Sequence, residues 1–200
     1  MESAHIPGIF NDVMGPVMRG PSSSHTAAAH RIGSMFRQAG QSNYTKAVVK
    51  FDKSGALATT YLGQGSALGM AGGLLGLEMT DPEIVHYEKH LEKSGFTIEY
   101  IITEIENKHP NAYQIQVQYP DRDDLHILAI STGGGMFEIV RWNGFEVSMK
   151  GDFFETLLFF ENANAETISD IKNLLKAHLS DYIILTSQTQ DQNLPIHIKS

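Results

Sequence analysis

The sequence predicts an α+β fold in which helices pack on a largely antiparallel sheet. Three observations predict this class: apolar residues recur with helical spacing before residue 95, residues Phe96–Met149 alternate with a period of two, and Asn143-Gly144 is a typical hairpin turn. Hydrophobic residues make up 42% of the chain and charged residues 19%, which is typical of a folded protein with a buried core. The 200 residues suffice for one large or two small domains.

Three helices are predicted in the first half of the chain. Residues Thr26–Gln38 carry a continuous apolar face, and Gly40 follows where a helix-ending glycine is common. The small, apolar segment Ser66–Leu77 predicts a buried helix, and Asp-Pro-Glu at the start of Asp81–Lys93 is typical of a helix N-terminus. Between the first two helices, Lys46–Phe51 predicts a strand.

Five further strands follow these helices and complete the first domain, assigned to residues 1–152. We expect them to form the sheet that the helices cover. Their predicted bounds are Phe96–Glu106, Ala112–Tyr119, Leu125–Thr132, Met136–Trp142 and Phe145–Met149.

Residues 153–200 predict a second, smaller unit with the order strand, helix, strand, strand. The unit is shorter than a typical independent domain, so we expect its unfinished sheet edge to need a partner. The predicted elements are Glu155–Phe160, Ala165–His178, Tyr182–Gln188 and Pro195–Lys199.

Composition argues against several classes of function. The formal net charge is -8 and the 15 basic residues are scattered, so a nucleic-acid partner is not expected. Cysteine is absent, so this chain offers no thiolate nucleophile and no thiolate ligand for zinc or an iron-sulfur cluster. The nine histidines form no metal-binding pattern. No leader peptide or membrane-spanning run is found, so we expect a cytoplasmic protein without a membrane partner.

The segment Gly20-Pro21-Ser22-Ser23-Ser24-His25-Thr26 places five polar side chains at the start of the first helix. The first N–H groups of a helix have no internal partner, so a small carboxylate could bind there with serine and threonine hydroxyls around it. A histidine in this position adds a group that titrates near neutral pH. The alternative is a single capping serine whose neighbours bind nothing.

The segment Ser131-Thr132-Gly133-Gly134-Gly135 joins two predicted strands. Three successive glycines permit positive φ angles or the close approach of another group, although a flexible hairpin would have the same sequence. A nucleotide-binding loop is not expected, because no Gly-Lys-Ser or Gly-Lys-Thr follows and no helix begins here.

Four stretches carry a resemblance to a known family. GPSSSHT is similar to the signature of the β chain of bacterial iron-sulfur L-serine dehydratases, and GALATTYLGQGSALGMAGGLL, HPN and ISTGGGMFEIVRWNGFEV agree with it in the same order. The similarity covers about the first 150 residues. From Phe154 onward the chain resembles the front of the βαββαβ ACT domain that often ends these β chains.

The resemblance implies an ammonia-lyase that converts L-serine to pyruvate and ammonia. It places a 4Fe-4S cluster on a cysteine-bearing α chain or domain and none on this chain, so this chain alone is not expected to be active. It implies that Ser22, Ser23, Ser24, His25 and Thr26 hold the carboxylate of serine. The expected pocket also includes Gly133, Gly134 and Gly135, and we expect a homo-oligomer.

The sequence departs from the family pattern at two places. Where the family usually has Gly-His-Gly-Thr-Asp, with the histidine as the favoured base, this chain has Gln64 and Ala67, and glutamine cannot accept a proton near neutral pH. His25 is then the remaining motif histidine that could act as the base. In the tail, Asn162–Ala165 replaces the usual ligand-binding loop of ACT domains. Because the ACT pattern is incomplete at Ser200, either the tail is degenerate or the native protein continues.

Two other functions stay open. The first is a catalytically silent serine-binding regulatory module, similar to the allosteric substrate-binding domains of some phosphoglycerate dehydrogenases. The second is a structural oligomerisation domain, which the polar GPSSSHT segment does not favour because such a role needs few of these side chains.

Overall fold

A six-stranded mixed sheet with helices on one face forms the first part of the protein. The computed structural model describes residues 15–40, 43–152, 155–160, 165–178, 183–184 and 194–199. The helices are α1 (Ser23–Gly40), α2 (Leu57–Thr60), α3 (Ser66–Leu75) and α4 (Tyr87–Ser94), with a 3-10 turn at Pro82–His86. The strands are β1 (Lys46–Asp52), β2 (Thr97–Thr103), β3 (Ala112–Gln118), β4 (Leu125–Gly133), β5 (Met136–Trp142) and β6 (Phe145–Met149).

The sheet has the order β2-β1-β3-β4-β5-β6 and confirms the predicted α+β class. All neighbouring strands are antiparallel except β1 and β2, which are parallel. A parallel pair needs a long crossover between its strands, and helices α2, α3 and α4 supply it. The strand before the helices therefore lies inside the sheet, between β2 and β3.

The main core lies between the sheet and helices α1 and α3. Along β3 the residues Tyr113, Ile115 and Val117 are buried and alternate with partly exposed glutamines, as expected for a strand with one covered face. Phe36 of α1 stacks with Trp142 of β5 at a centroid distance of 6.0 Å. Burial of these apolar side chains provides the main driving force that holds the helices on the sheet.

Helices α1 and α3 approach each other closely because glycines line their contact. A Cβ atom at Gly69 would lie 2.1 Å from the carbonyl oxygen of Thr26, and one at Gly73 would lie 2.2 Å from that of His30. On the other helix, a Cβ atom at Gly33 would lie 2.8 Å from the carbonyl oxygen of Met70. Backbone therefore packs directly on backbone, which only glycine permits.

The predicted helix bounds need three corrections. Helix α1 begins at Ser23, three residues before the predicted Thr26, so Ser23, Ser24 and His25 form its first turn. Helix α3 ends at Leu75, where Gly76 has a φ of 76° and terminates it. The helix expected over Asp81–Lys93 is divided, because a 3-10 turn follows the Asp81 cap before α4 begins.

Two predicted turns have the expected backbone. Asn143 and Gly144 have φ angles of 47° and 83°, which is typical of the tight hairpin that connects β5 to β6. Gly133, Gly134 and Gly135 have φ angles of 103°, 59° and 79°, so all three lie in the region that favours glycine. The triple glycine is therefore required by the backbone of the β4–β5 turn.

The described residues of the tail form strands β7 (Glu155–Phe160), β8 (Ile183–Ile184) and β9 (Leu194–Lys199) and helix α5 (Ala165–His178). The strands have the order β7-β9-β8 with antiparallel pairs. The similarity to an ACT domain and the boundary at residue 152 stay predictions. Residues 162–164 of the predicted loop, and most of the strand expected over Tyr182–Gln188, lie outside the described residues. No helix in the described parts of the chain is long and apolar enough to cross a bilayer.

Candidate functional site

Four sequence segments meet at one edge of the six-stranded sheet, which we call the motif edge. This edge consists of the C-terminal ends of β1 and β4 and the N-terminal end of β3. These ends lie side by side because Lys50 pairs with Gln114 and Ala112 pairs with Ile130. The segments that gather there are Ser22–Thr26, Gly63–Ala67, His109–Asn111 and Ser131–Gly135.

Ser22 is the N-cap of α1, and the residues after it present N–H donors that no described residue pairs. The N–H of Thr26 donates to the carbonyl of Ser22 at 3.0 Å, so the N–H groups of Ser23, Ser24 and His25 precede the first bond of the helix. Within the described part of the chain, the hydroxyls of Ser23 and Ser24 make no hydrogen bond. Three N–H groups and two hydroxyls at a helix start form an arrangement that suits a carboxylate.

The other polar side chains of this segment bond within the protein. The hydroxyl of Ser22 lies 2.9 Å from Nδ1 of His25, a half-buried ring. Thr26 is fully buried, and its hydroxyl donates to the carbonyls of Ser22 at 3.0 Å and Gln64 at 3.3 Å. Thr26 therefore joins α1 to the loop before α3, and its direct contact with a ligand stays a prediction.

The loop that carries Gln64 lies directly against the start of α1. The carbonyl of Gln64 accepts a hydrogen bond from the N–H of Ser22 at 3.3 Å as well as the one from Thr26. Gly65 follows with a φ of 84°, and a Cβ atom there would lie 2.4 Å from the hydroxyl oxygen of Thr26. Gly65 therefore allows the main chain of this loop to lie on α1, with the half-buried side chain of Gln64 at the same edge.

Helix α3 is anchored at the motif edge by a buried tyrosine. Tyr113 of β3 donates from its hydroxyl to that of Ser66, the first residue of α3, at 3.3 Å. Burial raises the pKa of Tyr113 to about 12, although the hydrogen bond with Ser66 opposes this shift. Tyr113 therefore stays protonated at neutral pH and acts as a donor.

The triple glycine turn lies beside the first turns of α1. A Cβ atom at Gly135 would lie 3.1 Å from Cβ of Ala27 and 2.8 Å from Cγ of Pro16. Apart from their chain neighbours, no described residue lies within 4 Å of a Cβ position at Gly133 or Gly134, so the described residues leave that part of the turn open. The structure thus brings the turn close to the serine segment, while the binding of one ligand by both stays a prediction.

His109–Asn111, the HPN stretch, forms a further part of the motif edge. The carbonyl of Asn111 accepts a hydrogen bond from the N–H of Ser131 at 3.0 Å, just before the glycine turn. Nδ1 of His109 accepts from the N–H of Asn111 at 3.2 Å, which leaves the proton of the neutral ring on Nε2. The signal in the sequence was the HPN stretch of the family resemblance, immediately before β3.

A buried carboxylate holds the backbone next to this turn. Asp52, whose side chain is 3% exposed, accepts hydrogen bonds from Ser54, from Lys108 at 3.0 Å and from the N–H of Ile105 at 3.2 Å. The bonds from Ser54, then those from Lys108 and Ile105, lower the pKa of Asp52 below its usual value. Asp52 therefore ties the end of β1 to the segment that leads into His109.

The described residues contain no cluster of three or more histidine or acidic side chains placed to hold a metal ion. A cavity of about 510 Å³ lies among β3, β4 and β5 and is lined by residues such as Gln114, His126 and Arg141. None of its lining residues belongs to the four segments of the motif edge. This cavity is thus separate from the predicted serine site.

Comparison with known proteins identifies the family of this chain. A family model described as serine dehydratase beta chain matches residues 14–99, which include Ser22–Thr26 and Gln64. The chain is 33% identical over 184 residues to the L-serine dehydratase beta chain of Peptoniphilus asaccharolyticus, covering 92% of this chain and 81% of that protein. It is 36% identical over 164 residues to the probable L-serine dehydratase beta chain of Bacillus subtilis (strain 168), covering 82% of this chain and 73% of that protein. The chain therefore belongs to the serine dehydratase beta chain family.

Proposed function

We propose that this chain is the β component of an iron-sulfur L-serine dehydratase, which converts L-serine to pyruvate and ammonia. The start of α1 then holds the carboxylate of serine. The observation that carries this proposal is a set of donors there that pair with no described residue, namely the N–H groups of Ser23, Ser24 and His25 and the two serine hydroxyls. Two relatives that are named as L-serine dehydratase beta chains support serine as the ligand.

His25 is the proposed base that removes the Cα proton of serine. An imidazole can hold this proton near neutral pH, whereas the amide of Gln64 cannot. When Nδ1–H of His25 donates to the hydroxyl of Ser22 at 2.9 Å, the lone pair lies on Nε2. No described residue forms a hydrogen bond with Nε2, so this atom is the proposed acceptor.

The iron-sulfur cluster is assigned to a cysteine-bearing α chain or domain. This chain has no cysteine, and the acidic and histidine side chains of the described residues do not form a metal site. When bound on the partner, the cluster would supply Lewis-acid chemistry towards the substrate. Dehydration by this chain alone is therefore not expected, and a cytoplasmic location and a homo-oligomeric state stay predictions.

Exposed apolar side chains beside the motif edge suit a partner that covers it. Leu62, two residues before Gln64, is 62% exposed, and Val17 is also 62% exposed. Met18 is 41% exposed, with its Cε 3.5 Å from a Cβ position at Gly135. We propose that the α chain docks on these side chains, because burial on association would remove them from water.

The proposal is tested by anaerobic reconstitution with the cysteine-bearing partner and an assay of pyruvate formation. Replacing Ser23 and Ser24 by alanine should raise KM for serine by about 10- to 100-fold, because each removed hydroxyl bonds a charged group. Thr45→Ala is the matched control, since this exposed hydroxyl bonds Gln118 at the opposite end of β1. An unchanged KM in the double variant, or pyruvate formation without the partner, would contradict the proposal.

A catalytically silent serine-binding module is the second candidate, and the amide at Gln64 favours it. General-base catalysis contributes about 10²- to 10⁴-fold in rate, so Gln64→His should raise deamination if the position of the usual base is idle. Gln64→Ala should then change little. Full activity of the unaltered protein, together with its loss in Gln64→Ala, would show that the amide itself is essential and would overturn this reasoning.

A further inference from the structure

Arg31 reaches from α1 to the triple glycine turn. Its Nη1 donates to the carbonyl of Gly135 at 3.3 Å and lies 3.1 Å from the sulfur of Met136. Its guanidinium lies over the ring of Phe137 at 5.1 Å from the centroid. One side chain therefore contacts three successive residues at the point where the turn becomes β5.

The surroundings of Arg31 restrain its guanidinium. Burial lowers the pKa of the half-buried Arg31, and the nearby charge of Asp152 opposes this shift. A Cβ atom at Gly151 would lie 3.2 Å from Cζ of Phe137, so the chain also packs on the ring that Arg31 covers. A planar guanidinium held by an aromatic face and a nearby carboxylate is well ordered for hydrogen bonding.

The glycine turn needs such a restraint. Gly133 and Gly134 contribute no side chains, and no described residue beyond their chain neighbours lies within 4 Å of their Cβ positions. Glycine loses more backbone freedom on ordering than other residues, so a ligand that had to order this turn would bind more weakly. A turn that is already fixed removes this cost from binding.

We propose that Arg31 is a positioning residue that fixes the Gly133–Gly135 turn against the start of α1 and thereby sets the affinity of the site for the carboxylate of serine. The second part of this inference rests on the proposed function, which places the turn in the serine site. The first part concerns the turn alone and is independent of any ligand.

The test uses the full chain with its cysteine-bearing partner and compares Arg31→Met, Arg31→Lys and Arg37→Met. Arg37 is the matched control, because it lies on the same helix and contacts Gly76 instead of the glycine turn. Hydrogen exchange should be about 10-fold faster for residues 133–136 in Arg31→Met than in Arg37→Met, in line with the loss of a hydrogen bond from a charged donor. KM for serine should rise about 10-fold in Arg31→Met with little change in kcat. Arg31→Lys should restore part of the slow exchange and part of the low KM.

Each outcome decides one part of the inference. Equal exchange of residues 133–136 in Arg31→Met and Arg37→Met would overturn the restraint, whatever the enzyme kinetics. Faster exchange with an unchanged KM would overturn the effect on affinity and would contradict the placement of the turn in the serine site. Circular dichroism of each variant, together with the charge-conserving Arg31→Lys, separates these results from a general loss of folding.

Discussion

Gly69→Ala tests how the contact between α1 and α3 builds the motif edge. A Cβ atom at this position would lie 2.1 Å from the carbonyl oxygen of Thr26 and 3.0 Å from the nitrogen of His30. Carbon–oxygen contacts are normally about 3.3 Å or longer, so the helices must separate by about 1 Å. The neighbouring atoms belong to backbone, so no side chain can rotate away to make room.

The expected loss of stability follows from two opposing effects. Overpacking costs about 1–3 kcal/mol, and a clash with backbone belongs at the upper end of this range. Alanine favours a helix over glycine by about 1 kcal/mol, which leaves a net loss of about 2 kcal/mol. For a protein of this size each kcal/mol corresponds to about 2–4 °C, so Tm should fall by about 4–8 °C.

The same substitution should also impair the site. The hydroxyl of Thr26 donates to the carbonyl of Gln64 at 3.3 Å. A shift of α1 relative to α3 therefore moves the start of α1 away from the loop that carries Gln64. A misplacement of about 1 Å can cost about 100-fold in rate, so partner-dependent kcat/KM should fall by up to this factor.

Calorimetry and the partner-dependent assay measure the two effects of Gly69→Ala. Gly63→Ala is the control, because its Cβ position has no atom within 4 Å, and it should leave Tm nearly unchanged. A Tm for Gly69→Ala within about 1 °C of the unaltered protein would refute the close-contact argument.

Two further predictions concern the partner and the fold. Leu62→Glu should abolish association with the α chain in analytical ultracentrifugation. Leu174 on α5 is 61% exposed, and Leu174→Glu is the control that should leave association unchanged. The reverse result would exclude docking at the motif edge. Bonds from Ser54 and Lys108 keep the pKa of Asp52 below its usual value. The contribution of Asp52 to the free energy of unfolding is therefore complete above about pH 4 and is lost as pH falls through the lowered pKa. Asp52→Asn should therefore unfold at a lower urea concentration than the unaltered protein at pH 7. The difference between the two urea midpoints should narrow towards pH 3. A difference in urea midpoint that stays constant with pH would argue against stabilisation by the Asp52 carboxylate.

The strands were predictable because one face of the sheet is covered. Alternation along β5 and β6, with the Asn143-Gly144 turn between them, defined both strands to the residue. The parallel pairing of β1 with β2 was not predictable, because residue periodicity reports which face is buried and not which strand is the neighbour. That pairing depends on how the helices between the two strands cross the sheet.

The composition of the candidate site was predictable in part. The serine segment was expected at a helix start, and the helix begins at Ser23, earlier than the predicted Thr26. The sequence could not fix this start, because Ser22, Ser23 and Ser24 are all acceptable N-caps. The contact with Gln64 could not be predicted from residue types, because it uses the main-chain carbonyl of that residue. Any residue offers such a carbonyl, so the sequence carries no signal for it.

The five polar side chains of Ser22–Thr26 fall into two groups by their hydrogen bonds. Ser22, His25 and Thr26 bond one another or the carbonyl of Gln64, and these bonds fix the first turn of α1 against the neighbouring loop. Ser23 and Ser24 make no such bonds within the described chain, although a capping role alone would need only one serine. The segment therefore combines side chains that hold the helix start in place with two serine side chains that pair with no described residue, and these two hydroxyls belong to the proposed carboxylate site. Loss of Thr26 should thus act mainly through stability, whereas loss of Ser23 and Ser24 should act mainly through affinity for serine.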